Sequence, residues 1–110
     1  MKIGFIGCVL SSKVALLTLI NNTNKDIEIV AVITKKKSDF NSDFVDISKI
    51  CKDNSIPVHY ENSKEKDQSL KFMKSYKPDV IYCIGWSYLL DKSFLSIAQH
   101  GIVGFHPAYL

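Results

Sequence analysis

With 110 residues, 46% hydrophobic and 11% aromatic, the chain is long enough to bury one core and too short for two. Its 23% charged residues and formal charge of +3 exclude a disordered or membrane-embedded class. All 14 basic residues are lysines, so no guanidinium fork is available for bidentate recognition of phosphate or carboxylate, which argues against a nucleic-acid partner. Cys8, Cys51 and Cys83 lack the short spacings of a zinc or redox motif, so no metal site is expected and a reduced, cytoplasmic setting is. The N-terminal run superficially resembles a secretory leader. Its apolar stretch before Cys8 is shorter than the ~7–15 residues of a leader core, and Lys13 interrupts the continuation before the ~20 residues of a membrane span.

The elements alternate along the chain. Residues 3–8 form a short apolar run with two glycines and read as a strand. A turn and a helix come next, with Ser11 or Ser12 as the hydroxyl cap, Val14, Ala15, Leu16, Leu17, Leu19 and Ile20 inside, and the Asn21-Asn22-Thr23-Asn24 cluster as the stop. Residues 27–34 are β-branched and almost continuously apolar, the pattern of a strand covered on both faces, as in a parallel sheet. The polar stretch 35–42 reads as a solvated loop, leading to a helix over 43–54 whose inward stripe is Ile47, Ile50 and Cys51. Residues 56–60 contain Pro57 and predict a short strand near an edge.

A helix is predicted over 68–77, with Leu70, Met73 and Tyr76 on one side and Pro78 closing it. Residues 79–85 read as a central strand, followed by the apolar loop 86–90. Asp91 then caps a short helix through Gln99, Gly101 supplies a left-handed stop, and residues 102–105 form the last strand. Strands and helices alternating at this spacing give an α/β fold with an open parallel sheet of about five strands and flanking helices. The last strand has no following partner, an edge that invites self-association.

Three features carry possible chemistry. The turn Gly7-Cys8-Val9-Leu10-Ser11-Ser12 presents helix N-terminal amides to an anionic ligand, with Ser11 and Ser12 as its candidate substrate contacts, although any tight α/β turn looks alike. His59 and His100 read as structural; His100, just before Gly101, is placed to complement the preceding helix. His106 differs, because an apolar run delivers it to a strand end and Pro107 forces the chain out of the sheet. Such a histidine serves as general acid or base, as a donor to a developing oxyanion, or as a structural residue. The loop Gly85-Trp86-Ser87-Tyr88-Leu89-Leu90 leaves the neighbouring strand at the same edge and can wall a pocket beside it.

Together, Gly101-Ile102-Val103-Gly104-Phe105-His106-Pro107-Ala108-Tyr109-Leu110 and the IYCIGWSYLL segment resemble the formyltransferase family over the whole chain. The resemblance implies a Rossmann-like N-terminal part of a formyltransferase catalytic domain. It also implies 10-formyltetrahydrofolate as donor and a primary amine as acceptor. In that scheme His106 assists the tetrahedral oxyanion and its proton transfer, while Trp86, Tyr88, Leu89, Leu90 and Gly104 belong to the folate side. Gly104 stands where the family has an asparagine, and the loss of one such oxyanion donor costs about 3–4 kcal/mol. The absent arginines and the GFHP variant lean toward a nucleotide-linked amino sugar over initiator tRNA. The family's aspartate and its proline- and arginine-containing loop have no counterpart here, so the expectation is a fragment that is inactive alone. The competing reading is a catalytically silent folate- or nucleotide-binding module.

Overall fold

The computed structural model describes residues 1–22, 24–36, 44–62, 64–85 and 92–105. Strand and helix alternate through β1 (Lys2–Ile6), α1 (Leu10–Ile20), β2 (Glu28–Thr34), α2 (Ser48–Asp53), β3 (Val58–Tyr60), α3 (Lys66–Ser75), β4 (Val80–Ile84), α4 (Lys92–Leu95) and β5 (Ile102–Phe105). The strands form one sheet in the order β3-β2-β1-β4-β5, every adjacent pair parallel. This is the open parallel α/β sheet expected from the alternation of elements, wound in both directions in the Rossmann-like manner that the family resemblance implies.

Period-2 side-chain alternation divides the core into two layers. Ile6, Ala31, Ile33, Ile81 and Cys83 face α3 and the α4 region, where Met73, Phe94 and Ala98 meet them. Phe5 and Val32 face the other way, onto Leu16 of α1 and onto Ile47 and Cys51 at α2. Both faces of the central strands are therefore buried, which explains their near-continuous apolarity. Gly4 opens the first layer: a Cβ there would press on the Met73 sulfur, so its absence lets α3 lie close to β1.

Asp79 holds the amino-terminal edge of the sheet. Its carboxylate accepts the Lys2 N–H at 2.7 Å, its own N–H donates to the Lys2 carbonyl at 2.8 Å, and its carbonyl accepts the His100 N–H at 2.7 Å. One residue thus joins β1, β4 and the turn entering β5. Gly101, at φ +80°, supplies the left-handed step into that strand, as its sequence position predicts. His100 contributes a backbone N–H here, and its side chain is exposed.

Several boundaries differ from the sequence expectation. The N-cap of α1 is Val9, with extended backbone, and Ser12 acts from the third helical position by accepting the Val9 N–H on Oγ at 3.2 Å. Helix α2 begins only at Ser48, because Phe44 bridges to Val9, Val45 donates to the Cys8 carbonyl, and Asp46 accepts the Ser48 N–H. Tertiary pairing with the β1 exit has overridden local helical pattern there. Helix α3 lies two residues earlier than its periodicity indicates, starting at Lys66; Lys77, at φ 49°, breaks it before Pro78. The last helix is only Lys92–Leu95 and continues as turns, and Asp91 lies outside the described residues. Lys35 is 9% exposed, so the lysine triplet is not solvated throughout.

Leu16 is fully buried while Val14 is 58% exposed on the same helix. Leu16→Ala is therefore expected to cost about 2–5 kcal/mol, whereas Val14→Ala stays within about 0.5 kcal/mol. Urea midpoints of the two variants check this, and equal losses would contradict the layer assignment.

Candidate functional site

A parallel sheet gathers all its strand ends at one edge, and this order reverses direction between β1 and β4. From β1 the chain steps outward through β2 and β3, then returns to place β4 and β5 on the opposite side. The crevice beyond the carboxyl ends of two such strands is where open α/β sheets bind ligands. The turn following β1 and the exit of β4 meet there.

Their junction is tight. Ser12, fully buried, donates its hydroxyl to the Ile84 carbonyl at 2.5 Å while accepting the Val9 N–H. A Cβ on Gly7 would lie 2.5 Å from that same carbonyl oxygen and 2.6 Å from Ser12 Cβ. Gly85, at φ +66°, would drive a Cβ into Val9 and to 2.7 Å from Ser12 Oγ. Glycine is required at both positions, at Gly7 by space and at Gly85 by space and backbone. Cys8 adds a weak contact from its sulfur to the Gly85 carbonyl at 3.8 Å.

The predicted site residues fall into two groups. Ser11 is exposed at the start of α1, and its hydroxyl lies 3.2 Å from where a Gly85 Cβ would stand. Ser12 has its hydroxyl engaged between β4 and the helix start. Gly104 is exposed on β5 opposite Cys83, and Phe105 pairs with Ile84. The chain thus leaves β4 and β5 from adjacent positions, about 4.8 Å apart at the spacing of paired strands. Trp86, Tyr88, Leu89, Leu90 and His106 lie outside the described residues.

The clamp by Ser12 and the fit of Gly7 against Gly85 were not read from the sequence. A glycine ending each of two apolar runs was the available signal, but it named no partner. His59 stacks on Phe72 with ring centroids 5.2 Å apart, in keeping with a structural role. Among the described residues no cluster of His, Cys, Asp and Glu is arranged to hold a metal, and no helix is long and apolar enough to cross a membrane.

The three cysteines are buried and none is in a disulfide. Burial, reinforced by nearby Cys8, pushes the Cys83 thiol up to about 12, and burial with the nearby Asp46 carboxylate does the same to Cys51. These thiols are packing groups rather than nucleophiles.

The family model described as "Formyl transferase" matches residues 1–110. A methionyl-tRNA formyltransferase of Ehrlichia ruminantium (strain Gardel) is 28% identical over 114 residues, covering 100% of this chain and 37% of the relative. Another, from Dehalococcoides mccartyi (strain CBDB1), is 31% identical over 55 residues, 50% of this chain and 18% of the relative. The crystal structure of phosphoribosylglycinamide formyltransferase from Bacillus halodurans superposes with TM-score 0.72 at 18% identity, covering 97% of this chain and 56% of that one. The chain therefore spans 37% of the length of the curated relative it matches end to end.

The junction and the thiols each set a measurable outcome. Gly7→Ala should lower stability by about 1–3 kcal/mol through overpacking, and Gly85→Ala by more, because backbone strain adds to the clash; denaturant midpoints measure both. In the unfolded chain thiols titrate near 9.0, whereas native Cys51 and Cys83 hold their protons to about 12. The native state then binds more protons between those values, so the thiol contribution is intact below pH 9 and is lost as pH rises toward 12. Denaturation from pH 8 to 11 should show that decline, and replacing both cysteines by alanine should make it shallower.

Proposed function

The chain belongs to the formyl transferase family, and from that premise we propose that it forms the N-terminal part of a catalytic domain moving a formyl group to a primary amine. The family's formyl donor is 10-formyltetrahydrofolate, which is the donor proposed here. The observation that carries this reading is the family match, whose span over residues 1–110 takes in the β1 turn, the β4 exit and the final GFHPAYL.

In the proposed reaction the acceptor amine attacks the formyl carbon and a C–N bond forms. The carbonyl oxygen carries negative charge in the tetrahedral intermediate, and the bond to the folate nitrogen then breaks. The proton lost by the amine goes to the departing folate. His106 supplies the hydrogen bond to the oxyanion and assists that proton transfer. Trp86, Tyr88, Leu89 and Leu90 flank the folate ring, and Ser11 meets the acceptor side.

Gly104 gives this chain one side-chain oxyanion donor fewer than the family pattern, so either another group substitutes for it or activity is low. In support, Gly104 is exposed on the strand whose carboxyl end lies at the edge where open α/β sheets take ligands.

The acceptor is proposed to be methionyl-tRNA. Support comes from the relative aligned along the whole chain, whereas the sequence lean toward a nucleotide-linked amino sugar finds no counterpart among the relatives described. The test offers 10-formyltetrahydrofolate with methionyl-tRNA, phosphoribosylglycinamide or a nucleotide-linked amino sugar, and follows formylated product by mass spectrometry. The isolated 110 residues are expected to turn over none of them. A full-length protein carrying this chain should formylate methionyl-tRNA, and His106→Ala should lower its rate by about 10²–10⁴-fold. Absence of formylated product from the full-length protein with all three acceptors, or an unaffected His106→Ala, would overturn the assignment, and turnover by the isolated chain would overturn its expected inactivity.

A further inference from the structure

The β1–β4 ladder ends at the pair Ile6 and Cys83. Beyond it, the Gly7 N–H turns away to the Ile33 carbonyl of β2 at 3.1 Å. The next β4 carbonyl on the β1 side, that of Ile84, is met by the Ser12 hydroxyl at 2.5 Å. Ser12 therefore supplies a side-chain rung where the backbone ladder has stopped. It is fully buried, and its oxygen also accepts the Val9 N–H that opens α1. One hydroxyl consequently ties the start of a helix to the last residue of a strand.

The bond owes its importance to the residue after that carbonyl. Gly85 stands there with φ +66°, and Val9, Ser12 and Ser11 crowd the side where a Cβ would project. The direction in which the chain leaves β4 is fixed by this residue, and this residue is held by the bond immediately before it. We infer that Ser12 is a positioning residue: by holding the Ile84 carbonyl, it fixes the exit of β4 at Gly85 and links that exit to the β1 turn carrying Ser11. The functional consequence rests on the formyl-transfer reading, in which residues 86–90 face the donor and Ser11 faces the acceptor. Under it, the two substrate sides share one hydrogen-bonded joint, and Ser12 controls donor affinity without touching the donor.

The chain contains one tryptophan, Trp86, which stands directly after Gly85 and reports the joint spectroscopically. Ser69 supplies the control, being a second fully buried serine whose hydroxyl donates to Glu61 at the far side of the sheet. Ser12→Ala, Ser12→Cys and Ser69→Ala are compared by urea midpoint, Trp86 emission and titration with 10-formyltetrahydrofolate. Ser12→Ala is expected to shift Trp86 emission and weaken donor binding about tenfold, the effect of losing roughly one hydrogen bond. Ser12→Cys, which keeps a weak donor of similar size, should recover part of both. Ser69→Ala should lose stability with emission and donor binding unchanged.

Emission of Ser12→Ala indistinguishable from that of wild type, or shifted equally by Ser69→Ala, overturns the inference. If Ser12→Ala does not fold, Ser12→Cys decides: a shifted emission with native circular dichroism supports the joint, and an unshifted one refutes it. Failure of the wild-type chain to bind the donor would count against the formyl-transfer reading alone, since the emission comparison needs no ligand.

Discussion

The hydrogen bond from Ser12 to the Ile84 carbonyl joins what the topology would otherwise leave merely adjacent. Between β1 and β4 the winding of the sheet reverses: α1 packs on one face and the α4 region on the other, so the two strand ends part company and the turn after β1 fills the space between them. A serine three residues into α1 can reach the β4 carbonyl only because Gly7 and Gly85 carry no side chains at the contact. The buried hydroxyl satisfies a strand carbonyl that has run out of ladder and a helix-opening N–H that has no intrahelical acceptor. Two backbone deficits of different origin cancel at one atom.

On the formyl-transfer reading proposed above, that arrangement has a bearing on chemistry. Formyl transfer requires a donor and an acceptor to approach within bonding distance, and small errors in position are costly when the reacting geometry must be held in advance. The segment after β4 and the turn after β1 are separate in sequence by more than seventy residues. The bond from Ser12 to the Ile84 carbonyl ties the end of β4 to the start of α1 without a shared element. The cost appears in the two glycines, which give up side-chain packing and lose more backbone freedom on folding than any other residue.

Much of the fold was legible because both faces of a central parallel strand are buried. That condition writes itself into the sequence as runs such as Ile29 to Ile33 and Val80 to Ile84, and the strand at residues 102–105 was recognisable from Gly101 and the run behind it. Pro57 likewise marked the edge strand, where a missing N–H is tolerated. Helix starts were less legible. Residues 44–47 have helical spacing but bond to the exit of β1, a long-range competition that no local pattern reports. Ser12 was readable as a cap-forming residue, while its second partner, seventy-two positions away, depended on knowing that β4 lies beside β1. Of the candidate site, the strand ends and the exposed Gly104 and Ser11 fall within the described residues; the histidine and the apolar loop rest on their motif.

The hydrogen bonds around Asp79 divide labour between the two rims of the sheet. Strand register is anchored at the amino-terminal rim, where one carboxylate and its flanking peptide groups hold β1, β4 and the entry to β5. At the opposite rim the Ser12 bond and the two glycines tie only the exits of β1 and β4. Exposed residues there, such as Ser11 and Gly104, can be exchanged without sliding one strand past another, because the origin from which these strands are measured lies at the far end of the molecule. A fold organised this way can diversify its chemistry while its frame stays constant.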